Sequence, residues 1–201
     1  LKLGTGNYND QELLDGTIPG KTALYVERDG TIIWGGIIWS RTWAEDAHNI
    51  NLTAQTFESI FDHVVLEEDF IHQAEDQMQI FKAMIDALQN QTHNNFGLDT
   101  STIGTCGVLR TVLVPHYEYH YASDVADQIV AVEDGIDYTI DTLPGTEVDQ
   151  PRKVVRVGYP ILGARELENA AVYDYPGNIA TFWWPESATR SGTKFAAMGN
   201  G

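Results

Sequence analysis

With 201 residues, 43% apolar and 10% aromatic, the chain can fill the core of one large domain or two small ones, which excludes wholesale disorder. Its 29 acidic residues against 12 Lys and Arg leave a formal charge of −17, a surface that repels phosphates and excludes a sequence-specific nucleic-acid reader. No apolar run approaches the ~18 residues of a membrane-spanning helix, so no membrane anchor is expected, and one cysteine, Cys106, makes neither an internal disulfide nor a multi-cysteine metal site.

The chain opens on Leu1-Lys2-Leu3-Gly4, without the apolar core of a secretory leader, and is read as processed or partial because it does not begin with Met. Up to Pro19-Gly20 the Gly, Asn and Asp content predicts a loop or arm that a neighbour orders. Thr22 to Arg28 is rich in β-formers, and Asp29-Gly30 tolerates the two positive φ angles of a type I′ turn, so a hairpin returns through Thr31-Ile32-Ile33-Trp34. Gly35-Gly36 then interrupts the run before Ile37-Ile38-Trp39-Ser40-Arg41. A glycine pair within a strand predicts a bulge or corner, and a long strand that bends suits a small barrel; Val at either position is expected to deny that bend its freedom.

Ile50 to Ala54 alternates as a further strand, and Gln55 to Phe61 fits a short helix. From Asp69 the period turns helical, with Ile71, Ala74, Met78, Phe81, Ile85 and Leu88 at steps of three and four and Glu67, Glu68 and Asp69 at the favoured N-terminal end. A helix of about five turns is predicted, ended by the polar run Asn90–Gly97 and followed by a loop from Thr100 to Gly107. Val108 to Tyr121 reads as a strand. Ala122-Ser123-Asp124 starts a short helix that turns Val125, Ile129 and Val132 to one face and closes at Asp134-Gly135. Ile136–Asp141 and Val154–Val157 are strands around a Pro144-Gly145 turn, together a compact α+β unit. A loop leads to Tyr175-Pro176-Gly177-Asn178, and Ile179–Trp184 and Thr193–Met198 carry strand character.

Charge is unevenly spread. No Lys or Arg occurs between Arg41 and Lys82 or between Arg110 and Arg152, and each window holds nine carboxylates. Solubility explains such runs; a wall past which a polyanion must slide explains them too.

The one array with metal-ligand spacing is His116, Glu118 and His120, alternate residues that share a face if the segment is a strand and could then hold zinc. A half-exposed strand with its tyrosines packed inward explains the same pattern. Cys106 lies in a Gly-rich loop where a nucleophile could sit, with no partner histidine that the sequence identifies, so a buried or idle thiol is the plain reading. Phosphate-binding, serine-hydrolase and two-histidine protease motifs are absent. The tryptophans Trp34, Trp39, Trp43, Trp183 and Trp184 serve core or interface packing, or stack sugars. Neither a catalytic set nor a cofactor is expected.

The segment Thr22–Arg41, with its Tyr-Val-Glu-Arg-Asp-Gly hairpin, Trp-Gly-Gly bend and Ile-Trp-Ser-Arg exit, resembles a signature of minor tail proteins from long-tailed, non-contractile phages of actinobacteria. Leu52–Ser59 and Tyr175–Ile179 are similar to that family as well, so its motif residues here would be Asp29, Gly30, Trp34, Gly35, Gly36, Trp39, Pro176, Gly177 and Asn178. The resemblance implies a tail-tip or baseplate hub, a virion component made in the host cytoplasm. Such a hub is a homotrimer around the tail axis that joins tail tube and distal tail protein to tip and fibre proteins and surrounds the route of the tape measure protein and DNA. It also implies an α+β chain in three parts: an N-terminal arm and small antiparallel β-barrel over 1–66, a helix plus α+β domain over 67–175, and the incomplete start of a second barrel over 176–201. Two other functions fit the residues: a tail-associated cell-wall hydrolase using zinc at His116, Glu118 and His120, and a carbohydrate-binding receptor module using Trp183 or Trp184.

Overall fold

A computed structural model describes residues 10–44, 49–92, 94–145 and 151–162. The expected strands at Ile179–Trp184 and Thr193–Met198, and the motif Pro176-Gly177-Asn178, lie outside the described residues.

Helix α1, Asp10–Asp15, opens the description. It falls where a loop is expected, since six residues are too few to show an apolar period. Tertiary contact fixes it instead: the Arg41 guanidinium donates to the Leu14 carbonyl and, at 3.1 Å, to the Thr17 hydroxyl. The hairpin follows as β1, Ala23–Arg28, and β2, Thr31–Ala44. Its turn has φ of 54° at Asp29 and 77° at Gly30, the two positive angles that only Gly and short polar residues adopt at little cost.

The expected bulge falls on either side of the glycine pair rather than on it. Tyr25 pairs with Gly35 and Leu24 with Gly36 in regular antiparallel register, so the pair itself carries no bulge. Register shifts flank the pair instead, leaving Ile33 and Trp39 as the extra residues of two bulges. What demands glycine is crowding. A β-carbon on Gly35 would stand 2.9 Å from the Phe57 ring, and one on Gly36 would stand 2.5 Å from the Trp34 ring and 2.7 Å from the Gln55 carbonyl carbon. Strand β3, Asn49–Thr56, completes the first sheet in the order β1-β2-β3.

A 3-10 helix over Phe57–Asp62 comes next, buried through Phe57, Ser59, Ile60 and Phe61, where a short helix over Gln55–Phe61 is expected. The predicted five-turn helix from Asp69 is in fact two elements: strand β4, Phe70–Asp76, and helix α2, Gln77–Asn90. Phe70, Ile71 and His72 pair with Val114, Leu113 and Val112, and the alternation of buried Phe70 with exposed Ile71 is that of a strand. Asp76 sets the true helix start, its carboxylate accepting from the Met78 amide at 3.0 Å. The side chains of Ile80, Phe81, Met84, Ile85 and Leu88 then line the core face of α2.

Strand β5, Leu98–Asp99, is short; β6, Leu109–Val114, pairs antiparallel with β4 as a two-stranded ribbon. The strand expected to run on to Tyr121 stops at Pro115, which has no N–H to donate, and a 3-10 turn over His116–Glu118 replaces it. Helix α3, Ala122–Val130, buries Val125 and Ile129 as expected, with the Asp124 carboxylate accepting from the Tyr121 amide at 3.1 Å; Val132 is exposed. Strands β7, Asp137–Leu143, and β8, Arg152–Gly158, form the third sheet in the order β5-β8-β7, with β8 antiparallel to β7 and parallel to β5.

The chain is therefore mixed α+β with mainly antiparallel sheets, and among the described residues no sheet closes into the barrel that the bent strand suggested. One apolar core joins Ile37 of β2 and Phe57 and Phe61 of the 3-10 helix to Phe81 and Met84 of α2, Ile129 of α3, Val112 of β6 and Val155 of β8. Tyr138 packs on that core, its ring 4.6 Å from Phe81 and 5.9 Å from Phe61.

Candidate functional site

The residues singled out for metal binding do not share a face. His116 takes Asp69 as its partner, with Nδ1 2.7 Å from the carboxylate and the His116 backbone N–H donating to the same oxygen at 2.8 Å. Those bonds hold the Asp69 carboxyl below its usual range. His120 lies between two acids on opposite ring nitrogens, Nε2 2.9 Å from Glu118 and Nδ1 3.7 Å from Asp124, so the two carboxylates cannot converge on one ion bound to that ring. The left-handed φ of 53° at Tyr119 breaks the alternation that would have aligned the three. Among the described residues no three His, Cys, Asp or Glu side chains gather as a metal would require.

Cys106 sits in a network built for structure. Its amide and that of Gly107 donate to Asp76 at 2.9 and 2.6 Å, tying the loop to the start of α2. Its sulfur lies 3.5 Å from the Gln77 amide and 3.9 Å from Asp76. Gln77, fully buried, spends its side chain on the Asp134 carbonyl and on Arg110. No imidazole stands among the described hydrogen-bond neighbours of the thiol to act as its base.

Of the tryptophans, Trp39 donates from its indole to Ser59 at 2.8 Å and stacks at 3.7 Å on His63. The Trp43 side chain, Trp183 and Trp184 lie outside the described residues. Trp34 forms the wall of the largest described cleft, a hollow of about 650 Å³ whose other walls include Phe61, Tyr138, Glu58, Asp62 and Asp127.

Each side chain reaches this cleft for a local reason. Trp34 stands over Gly36, which has no β-carbon to displace it. Glu58 and Asp62 come from the 3-10 helix whose Phe57 and Phe61 anchor it in the core. Asp127 lies on the exposed side of α3, opposite Val125 and Ile129, and Tyr138 comes from β7. Glu58 also has a structural duty: one carboxylate oxygen accepts from the Ile140 amide at 2.6 Å and the Thr139 hydroxyl at 3.1 Å, satisfying a donor on the edge strand of the third sheet. Its other oxygen is shut off from solvent and has no donor in the described structure.

The electrostatics of the cleft are one-sided. Burial above all, and then the Glu58, Asp127 and Asp62 carboxylates, push the Tyr138 phenol up to about 12. Among the described residues no Lys, Arg or His lines the cleft. Several cations elsewhere are engaged: Lys82 with Asp86, Arg152 with Asp99, Arg156 with Asp141, Arg110 with Gln77 and the Glu133 carbonyl, and Lys153 over the Phe57 ring. Sequence reasoning picked out Trp34 here and missed Glu58, Asp62, Asp127 and Tyr138. Only the four-residue spacing of Glu58 and Asp62 hinted at a shared surface.

No family model, no curated protein and no solved structure matches this chain.

Proposed function

We propose that the chain is a structural, non-enzymatic component of a phage virion tail tip, a minor tail or hub protein. On this reading copies assemble as a ring, a trimer, that links the tail tube and distal tail protein to tip and fibre proteins and surrounds the channel for tape measure protein and DNA. The family resemblance of Thr22–Arg41 supplies the identity of the assembly. The observation that carries the need for a neighbour is the outward face of the β4–β6 ribbon.

There Ile71 and Leu113 are cross-strand partners, 53% and 55% exposed, and Leu109 on the same strand is 63% exposed. Apolar residues set side by side on an unpaired two-stranded ribbon form a surface that a soluble monomer ordinarily hides. Covering it in a closed ring removes both the apolar area and the free strand edges. Acidic walls suit the channel role, since they keep phosphate chains from adhering in transit.

Cryo-microscopy of purified tails tests the assignment. Three copies of this chain around the tail axis at the tip are expected. A chain that is monomeric in solution and absent from virions overturns the reading, as would cell-wall hydrolysis by the purified protein that depends on added zinc and on His116 and His120.

A further inference from the structure

We propose that the outward face of the β4–β6 ribbon is covered by the β1–β2 hairpin of a second copy of this chain, so that each copy gives its hairpin to one neighbour and its ribbon to the other. The proposal rests on the ring reading above for the identity of the occupant and adds which two surfaces meet.

A threefold ring cannot be closed through one self-matching patch. Each copy needs two different patches, one that gives and one that receives. The described residues supply both. The receiver is the ribbon, where Ile71 and Leu113 stand side by side with Leu109 further along the strand, all more than half exposed. The giver is the hairpin: Val26 is 41% exposed, and Ile33, the extra residue of the bulge beside the Val26–Trp34 pair, is 50% exposed.

Charge matches these two surfaces to each other. Successive side chains of a strand point to opposite faces. Tyr25 meets the Phe57 ring at 5.9 Å, so Tyr25 and Glu27 share the face of β1 turned to the core side, Val26 and Arg28 share the other, and Asp29 sits in the turn. Arg28 is exposed and has no hydrogen-bond or ion-pair partner among the described residues, whereas Lys82, Arg110, Arg152 and Arg156 each have one. At the ribbon, Glu67 and Glu68 are exposed just before β4, at the end that holds Ile71 and Leu113, and they too have no ion-pair partner among the described residues. The hairpin thus brings apolar side chains and a free cation to a surface that offers apolar side chains beside two free carboxylates. An anionic lipid surface is repelled by the same carboxylates.

Sedimentation velocity of the full chain at physiological salt, at up to about 100 µM, tests the contact. Wild type is expected as a trimer and I33D and L113D each as monomers, with circular dichroism checking that these exposed positions leave the fold intact. I33D keeps a working ribbon and L113D a working hairpin, so an equal mixture of the two is expected to form a 1:1 dimer and nothing larger. E67R/E68R makes the chain less acidic, which by itself favours association. It is nevertheless expected to weaken the trimer about tenfold, because it sets like charge against Arg28, and adding R28E is expected to restore assembly. A monomeric wild type, assembly that survives I33D, a mixture of I33D and L113D that stays monomeric, or stronger association of E67R/E68R would each overturn the proposal. The tail-tip reading fails separately: a trimer in solution that is absent from virions removes that reading and leaves the contact, whereas three copies at the tip whose assembly tolerates I33D remove the contact alone.

Discussion

Gly36 is the position where the packing argument is most exposed to refutation. If this glycine served a corner, Ala would strain the backbone angle; if it serves close approach, Ala must displace what already occupies its space. A β-carbon added at this position would lie 2.5 Å from the Trp34 ring and 2.7 Å from the Gln55 carbonyl carbon, against the ~3.5–4.0 Å at which carbon atoms rest. The Gln55 carbonyl belongs to the paired strand β3 and cannot swing aside as a side-chain end would. Overpacking of this kind costs about 1–3 kcal/mol, and a disturbed ladder hydrogen bond adds about 0.5–1.5 kcal/mol. The reduced freedom of the unfolded chain returns about 0.4–1 kcal/mol. Gly36→Ala is therefore expected to lose about 2–3 kcal/mol, a fall in Tm of about 4–12 °C for a chain of this size. Gly35→Ala meets the Thr142 hydroxyl and the Phe57 and Tyr25 rings, all side chains, and is expected to lose less, about 1–2 kcal/mol. Gly104 has nothing within 4 Å of its built β-carbon, so Gly104→Ala is expected to be neutral or slightly stabilising. Urea denaturation of the three variants reads the ranking. A Gly36→Ala protein as stable as the Gly104→Ala control would refute the crowding argument.

Four further outcomes follow from named contacts. Glu58→Ala leaves the Ile140 amide without its acceptor and should cost about 1–3 kcal/mol, while Glu58→Gln keeps a carbonyl there and should cost less; equal losses in urea melts would count against the edge-strand role. Asp76→Ala removes the cap of α2 and the acceptor for the Cys106 and Gly107 amides, for a loss of about 2–3 kcal/mol; faster hydrogen exchange at those two amides is the specific sign. Tyr138 should ionise near pH 12 in an ultraviolet titration, and because the unfolded phenol titrates near 10, stability should fall as pH rises from about 10 to 12; D62N/D127N should lower that transition only in part, since burial is the larger cause. Asp99, held down to about 2 by bonds from Ser101 and then Arg152, stabilises the fold above the unfolded value near pH 4 and loses that contribution as pH falls through 2, so Asp99→Asn should flatten the acid limb of the stability curve.

The hairpin was legible because everything that determines it is local: β-formers on both sides of a dipeptide that accepts two positive φ angles. Helix α3 and strands β7 and β8 were legible for the same reason, since their caps and periods lie within their own sequence. Failures arose where distant contact overrode the local pattern. Ile71 and Ala74 continue the helical spacing of Met78 and Phe81 backwards by chance, but pairing with Val112–Val114 takes this segment into a sheet, with φ of 51° at Ala74 and a register shift beside it. Pro115 is visible in the sequence as a strand breaker, and its missing donor outweighs the alternating histidines and tyrosines that follow.

The cleft was not legible for a deeper reason. Its polar floor depends on Glu58 reaching Ile140, 82 positions away, and no pattern within one sequence announces such a pairing. Yet the two windows without Lys or Arg were a trace of it. The first window supplies Glu58 and Asp62 and the second supplies Asp127, and the fold brings them to one hollow. Elsewhere in those windows acids find other partners: Glu75 lies beside His72 and Asp69 beside the distant His116, Glu118 and Asp124 share His120, and Asp76 caps a helix. In the cleft the three carboxylates add to burial in raising the Tyr138 phenol, and no cation stands among the described lining residues.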